Sequence, residues 1–281
     1  MILIINEIIN EIINFFFVFI MKKLRNYLLN SRVYNFYKEQ HEHQTFEFAS
    51  NKTNEYYQCN KAVLSIGEVL EKMDTFIDPS DPDLDEPNSI HAYQTAERIR
   101  RKYPKNLELQ LCGLIHDLGK ILFAFDEPSW AIVGDTYVLG AEFPRSIVFP
   151  DTLRNNIDSN NSKYTSKYGI YKPHCGIENL TLTFGHDIYL YNVLSHFKNN
   201  TRHRLSKRYL DIIRFHSFYP WHSGSSYREF MKKRDYEILE DVLEFNTFDL
   251  YSKEDPTEIT NEVKEYYARL INIYFPDKLY W

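Results

Sequence analysis

The chain has 281 residues, a formal net charge of -6, and contents of 43% hydrophobic and 26% charged residues. These values are typical of a soluble globular protein with a substantial core, and scattered basic residues exclude nucleic acid as an expected partner. The odd, widely spaced cysteines argue against a disulfide framework and predict a reducing, cytoplasmic location; they are Cys59, Cys112 and Cys175.

The first 21 residues, MILIINEIINEIINFFFVFIM, need separate interpretation. The uninterrupted apolar run from Phe15 to Met21 is too short to span a bilayer, and no secretory cleavage pattern is present. A sticky amphipathic arm, a membrane-surface anchor and an upstream extension with the functional start at Met21 remain open. We favour the extension, because globular patterning begins only after Lys22. We therefore expect residues 1–21 to be a leader outside the core and residues 22–281 to form one domain.

Apolar residues recur with helical spacing along most of the chain after residue 24, and this spacing predicts a mainly α-helical protein. Ser65 and Ser89 are candidate helix caps, and Pro104 predicts where the helix after Ser89 ends. The predicted helices cover residues 26–50, 65–76, 89–102, the segment around HDLGK, 174–184, 187–199, 206–219, 225–245 and 257–274.

Three stretches interrupt this helical pattern. DPSDPDLDEPN, residues 78–88, is a turn-rich loop, and the Asn-rich residues 151–168 are a second loop. WAIVGDTYVLGAEF, residues 130–143, has strand-and-turn character and predicts a short β-hairpin. Because no internal repeat, Gly-rich phosphate loop or linker divides the chain, we expect a single compact helical domain.

The ten histidines fall into two groups by context. Six lie in polar, turn-like or helix-start sequence and are interpreted as solvated or capping residues: His41, His43, His174, His196, His203 and His222. Four lie within apolar helical sequence: His91, His116, His186 and His216. A lone buried histidine is more often a satisfied core residue than a ligand. Four of them on separate helices favour convergence on a metal.

The segment LIHDLGKIL, residues 114–122, is the most informative motif. Adjacent helical residues point about 100° apart, so His116 and Asp117 cannot easily chelate one ion from one face, whereas Asp117 could bridge two ions. Lys120 follows one turn later, and Gly113 and Gly119 would allow another helix to approach closely. Imidazole and carboxylate without thiolate favour iron or manganese. The residues alone leave a hydrolytic and an oxygen-activating centre both open.

Several longer blocks together resemble the myo-inositol oxygenase family, in the family's order and over nearly the whole chain. They are NSIHAYQTAE, LIHDLGKIL, WAIVGDTY, YKPHCG, FGHDIYLYNV, IIRFHSFYPWHSG and EFNTFDLY. The resemblance implies a compact, all-helical HD-domain-like fold. It also implies an oxidoreductase that cleaves the ring of myo-inositol with dioxygen, giving D-glucuronate and water. The expected partners are then myo-inositol and dioxygen, with a monomeric chain and no stable membrane partner.

The resemblance also implies a ligand set for two iron ions, mixed-valent Fe(II)/Fe(III) in the active state. One iron would be held by His91, His116 and Asp249, and the other by His186 and His216. Asp117 would bridge them and, with Lys120, would act in catalysis. Asp249 is implied by the resemblance alone, because by itself it resembles a solvated acid at a helix end.

The substrate-binding residues implied by the resemblance are Arg25, Asp78, Pro79, Ser80, Lys120, Gly134, Asp135, His216 and Ser217. A cyclitol is neutral and carries only hydroxyl groups, so its recognition needs hydrogen-bond donors and acceptors of this kind. Acidic side chains would repel a phosphate dianion. They therefore argue against the alternative, an HD-type metal-dependent phosphohydrolase, which should have a more basic pocket.

Overall fold

A computed structural model of the chain describes residues 28–80, 87–250 and 258–281. The predicted leader and Arg25 lie outside the described residues. Within them the chain is mainly helical, which confirms the predicted fold class. Ten α-helices lie in these ranges: α1 (Arg32–His43), α2 (Phe46–Tyr56), α3 (Ile66–Met73), α4 (Asn88–Lys102), α5 (Leu107–Ile115), α6 (His186–Ser195), α7 (Lys207–Phe215), α8 (Tyr219–His222), α9 (Lys233–Asp249) and α10 (Asn261–Tyr274).

A small antiparallel sheet pairs a segment after α2 with the C-terminal residues. Its strands are β1 (Val63–Leu64) and β2 (Leu279–Tyr280), paired Val63 to Tyr280 and Leu64 to Leu279. The hairpin predicted within residues 130–143 is wrong. Ser129–Ala131 is a 3₁₀-helix, and Val138 forms an isolated bridge to Leu182. Glycines with positive φ, Gly134 (95°) and Gly140 (81°), turn the backbone there, so this buried stretch is irregular.

Local capping explains where several helices begin. Ser65 caps α3 as predicted, with a capping box in which Glu68 bonds back to the cap backbone. The single helix predicted over residues 26–50 is two helices, because Thr45 starts α2 by accepting from the Phe48 amide. Ser89 does not cap α4. It lies inside that helix, and its hydroxyl donates to Asp74 at 2.9 Å.

The helix predicted over residues 174–184 is also wrong. His174 has φ of 55° and Gly176 has φ of 93°, values that an α-helix cannot contain. The segment holds only a short 3₁₀-helix, Ile177–Asn179, within these residues. Its backbone instead joins a neighbouring turn, where the amide of His174 donates to Glu229 and that of Gly176 donates to Phe230.

Helix α5 lies at the centre of the domain. Every residue from 109 to 122 is buried, and α4, α7, α9 and α10 pack around α5. Gly113 allows α4 to pack closely on α5, because a Cβ there would lie 3.1 Å from the Cα of Ala96 in α4. The predicted role of Gly113 in close packing is thus confirmed. Among the helices of the described ranges, none is both long and apolar enough to cross a membrane.

Several histidines interpreted as solvated are buried. His41, His196, His203 and His222 are 0%, 3%, 9% and 2% exposed. Each of the four rings has a hydrogen-bond partner on at least one nitrogen or a ring contact, although Nε2 of His41 is buried without a hydrogen-bond partner. The His41 ring contacts the Thr152 hydroxyl at 2.6 Å, and the Nε2 atom of His222 lies 3.0 Å from the carbonyl of His216. The prediction failed because a polar sequence context does not determine burial when tertiary partners supply the hydrogen bonds.

Candidate metal and substrate site

The HDLGK motif was predicted inside one helix, but the structure places it at a helix end. Helix α5 ends at Ile115, His116 is its C-cap residue, and a 3₁₀-helix runs from Leu118 to Phe125. Asp117 lies between them with φ of -93° and ψ of -1°. This change of backbone directs His116 and Asp117 into one buried space, which a continuous helix would not do.

Asp117 is the centre of the cluster, and its two carboxylate oxygens face different histidines. Oδ1 lies 3.2 Å from Nε2 of His186 and 3.5 Å from Nε2 of His216. Oδ2 lies 3.6 Å from Nε2 of His116 and 3.9 Å from Nε2 of His91. A carboxylate divided in this way is arranged as a bridge between two positions.

Asp249, the last residue of α9, completes one side of the cluster. Its Oδ1 lies 2.9 Å from Nε2 of His91 and 3.3 Å from Nε2 of His116. Two overlapping groups have ligand atoms within 4.8 Å of one another, namely His91/His116/Asp249 and His116/Asp117/His216. On the other side, the Nε2 atoms of His186 and His216 are 3.1 Å apart. The structure therefore brings together all six residues that the sequence resemblance implied as ligands.

Backbone carbonyls set the orientation of three of these histidine rings. The Nδ1 atoms of His116, His186 and His216 lie 2.8 Å from the carbonyl oxygens of Gly113, Ile132 and Ile213. A ring whose Nδ1–H donates to a carbonyl presents the lone pair of Nε2, and all three Nε2 atoms face the cluster. Metal-binding histidines are commonly held in this way. The donor set therefore fits metal ions.

The electrostatics of the cluster also favour a cation. Burial by itself would raise the pKa of Asp117, but Lys120 and His116 outweigh it and hold that pKa well below its usual range. Burial would lower the pKa of His116, yet the carboxylates of Asp117 and Asp249 raise it to about 9. The carboxylates thus favour the protonated form of the His116 imidazole. A metal ion binding there would displace that proton.

Lys120 lies beside the cluster in a buried ion-pair network. Its Nζ is 2.9 Å from Oδ2 of Asp78 and 3.0 Å from Oδ2 of Asp117. Ser80 donates to the other oxygen of Asp78 from both its amide and its hydroxyl, at 2.9 and 2.6 Å. Burial would lower the pKa of Lys120, but the two carboxylates raise it above its usual value. The ammonium form is therefore the stable one in this network.

The remaining predicted substrate residues lie on nearby segments. The Ser217 hydroxyl is 3.3 Å from Nε2 of His186, and Ser217 follows His216. Asp135 is buried and accepts from the Tyr37 hydroxyl at 3.0 Å. Gly134 is partly buried, and a Cβ added there would lie 2.6 Å from Nε2 of Gln40. Pro79 contributes its carbonyl to Arg32 at 3.3 Å.

Sequence reasoning missed the residues that hold the Gly134–Asp135 turn. Tyr37 binds the Asp135 carboxylate, and the amide of Gln40 donates to the carbonyls of Val133 and Asp135. Both belong to α1, where they lie one turn apart on the buried face. The one sequence signal was that two polar side chains, Tyr37 and Gln40, recur at helical spacing on the apolar face of the helix, and this signal is weak.

The fold and the cluster together define a class of protein: a helical metalloenzyme with four histidines and two aspartates around a buried site. The adjacent ammonium, carboxylate and hydroxyl groups suit a small polar substrate.

Comparison with known proteins identifies the family. The family model for myo-inositol oxygenase matches residues 30–281. Inositol oxygenase of Danio rerio is 44% identical over 254 residues, covering 90% of each chain. The Homo sapiens protein is 41% identical over 261 residues (92% of this chain, 90% of the relative), and inositol oxygenase 1 of Arabidopsis thaliana is 45% identical over 252 residues (89% and 80%). The chain belongs to the myo-inositol oxygenase family and is an oxidoreductase of the oxygenase type.

Proposed function

We propose that this chain cleaves the ring of myo-inositol with dioxygen, giving D-glucuronate and water. The observation that carries the proposal is the divided Asp117 carboxylate, with His186 and His216 facing Oδ1 and His116 and His91 facing Oδ2. This arrangement supports a dinuclear centre rather than one metal. The names of the related proteins support an inositol as the substrate, and the description of the matching family supports myo-inositol.

The proposed cofactor is a pair of iron ions, mixed-valent Fe(II)/Fe(III) in the active state. One ion would be held by His91, His116 and Asp249, and the other by His186 and His216, with Asp117 between them. A donor set of imidazole and carboxylate without thiolate suits iron. The chemistry that such ions supply when bound is redox reaction with dioxygen and a lowered pKa of a coordinated hydroxyl.

The protein groups would bind and orient the cyclitol. Asp78, Asp135 and Ser80 supply acceptors or hydroxyl groups, and Ser217 lies beside His186, so that several hydroxyls of one ring could be engaged at once. Fixing the ring in this way orients one carbon for reaction, because its translational and rotational freedom is lost on binding and not in the reaction step. Arg25, outside the described residues, is kept in the proposal as a substrate-binding group.

Lys120 is proposed as the proton-holding group of the reaction. An ammonium has three N–H donors, and two of them are accounted for by Asp78 and Asp117. The third can donate to a substrate oxygen and stabilise negative charge that develops there. The two adjacent carboxylates favour the protonated form of Nζ, so the proposed role of Lys120 is that of a hydrogen-bond donor.

Exclusion of water is proposed to depend on rings around the histidines. The Phe245 ring centroid lies 5.3 Å from that of His116 and 6.4 Å from that of His216. Phe215 and Phe218, which flank His216 and Ser217 in the sequence, pack on Trp221 with ring centroids 5.5 and 5.6 Å away. Phe245 is therefore the better candidate for keeping solvent from the reacting centre.

A metal-dependent phosphohydrolase is not favoured. Within the described residues, Lys120 is the one lysine or arginine paired in the Asp78–Asp117 network, and both of its partners are carboxylates. A monomeric state and a cytoplasmic location are further parts of the proposal. The three cysteines support a reducing compartment, since all are free thiols and two of them are buried.

One assay tests the reaction. The full chain is loaded with iron without oxygen, then given myo-inositol and dioxygen, and oxygen uptake and glucuronate are measured together. We expect equal amounts of oxygen consumed and glucuronate formed. A matched sample with manganese and a phosphate ester should release no phosphate. Phosphate release without oxygen uptake would contradict the proposal.

A further inference from the structure

A buried pair outside the groups assigned so far links the substrate residues to a metal ligand. The Thr136 hydroxyl donates to Oδ2 of Asp187 at 2.6 Å, across 51 residues of sequence. Thr136 is 3% exposed and Asp187 is 0% exposed. The second carboxylate oxygen of Asp187 accepts from the Ile188 amide at 2.8 Å. A buried carboxylate needs such donors, so removing the Thr136 hydroxyl would leave one of its oxygens without that hydrogen bond, at a cost in stability.

The backbone around the pair connects it to both halves of the site. The Thr136 amide donates to the carbonyl of Ser217 at 2.9 Å. The Ile132 carbonyl lies 2.8 Å from both the amide and the Nδ1 of His186, which directly precedes Asp187. Asp135 lies within this segment of residues 132–136. Residues 132–136 thus bond to His186, a candidate metal ligand, and to Ser217, a candidate substrate residue, and they include Asp135.

We propose that Thr136 and Asp187 form a positioning clamp that holds Asp135 and Ser217 in register with His186. The clamp does not touch substrate; it acts through those residues. This inference rests on the proposed function, because the clamp would set where the cyclitol hydroxyls lie relative to the metal. A displacement of about 1 Å in such a site can cost roughly 100-fold in rate or affinity.

The direct test is Thr136→Val, which removes the hydroxyl at almost unchanged volume, beside Thr136→Ser, which keeps it. We expect Thr136→Val to raise KM for myo-inositol at least tenfold and Thr136→Ser to stay within twofold of the parent. Anaerobic calorimetry measures the affinity for myo-inositol without turnover. We expect Thr136→Val to bind more weakly than the parent and Thr136→Ser to bind about as tightly as the parent. The matched control is Thr152→Val, which removes another buried hydroxyl, bonded to the Phe149 carbonyl at 2.9 Å and to the His41 ring at 2.6 Å, and should leave KM unchanged.

Each outcome decides one question. A parent enzyme that neither binds myo-inositol nor takes up oxygen would end the proposed function. An active parent with an unchanged Thr136→Val variant would end the clamp alone. An equal rise in KM for Thr152→Val would reduce the effect to general destabilisation and also overturn the clamp. If Thr136→Val does not fold, Asp187→Ala, which removes the acceptor of the Thr136 hydroxyl, gives the same test, with a raised KM expected and an unchanged KM contradictory.

Discussion

Gly119→Ala should damage the site through one atom. A Cβ at Gly119 would lie 1.9 Å from the carbonyl oxygen of His186, 2.6 Å from its carbonyl carbon and 2.9 Å from its Cα. Unbonded heavy atoms prefer roughly 3.5 Å, so the two backbones must separate by about 1.5 Å. The obstructing atoms are backbone and cannot change rotamer. We therefore expect a loss near the upper end of the overpacking range, about 3 kcal/mol.

The displacement falls on His186 itself, so metal binding should suffer along with stability. Urea unfolding at pH 7 gives the free energy of unfolding, and metal analysis after anaerobic loading gives iron per chain. We expect both to fall. The control is Gly67→Ala in α3, where the nearest atom to the added Cβ is 3.9 Å away and the site is exposed. That variant should gain up to about 1 kcal/mol of stability, because alanine favours helices over glycine, and should keep its iron.

A Gly119→Ala variant with parental stability and full iron content would refute this reasoning. It would mean that the contact between Gly119 and His186 does not set the position of the ligand.

The other predictions concern charge. Lys120→Met should keep its iron and lose about 100-fold or more in kcat, since one donor to developing charge is removed; an unchanged kcat would exclude Lys120 from the reaction. Asp117→Ala should bind fewer than two irons per chain by metal analysis, and two retained irons would contradict bridging. Burial lowers the pKa of His41 to about 3, so below pH 6.5 the unfolded chain binds a proton that the folded chain does not. Stability is therefore full above pH 6.5 and declines toward pH 3, by about 2 kcal/mol at pH 5. Urea unfolding of His41→Gln should lack this component, and identical pH profiles would contradict it.

The helical class, most helix positions and the clustering of six residues could be predicted from sequence. Helical spacing records one buried face, and this signal is local. Membership of the family was also predictable, because the blocks around His91, His116 and His186 are long and ordered. Asp249 was predictable only through that resemblance, since nothing in its own neighbourhood distinguishes it from a solvated acid.

The rest depended on contacts between distant segments. The stretch 130–143 alternates like a strand, yet its backbone bonds go to Thr181, Thr183 and Ser217 rather than to a hairpin partner. His41 is buried, and the hydroxyl of Thr152, 111 residues away in the sequence, bonds to its ring. The pairing of Thr136 with Asp187 has the same character. Polar residues in polar sequence give no sign of which distant donor will satisfy them.

The position of the metal ions themselves tests the central claim most directly. Crystals of the anaerobically iron-loaded chain, measured on both sides of the iron absorption edge, should show two anomalous peaks roughly 3.5–4 Å apart. One peak should lie by His91, His116 and Asp249 and the other by His186 and His216, with one oxygen of Asp117 toward each. A single peak, or iron bound away from Asp117 in active protein, would contradict the account.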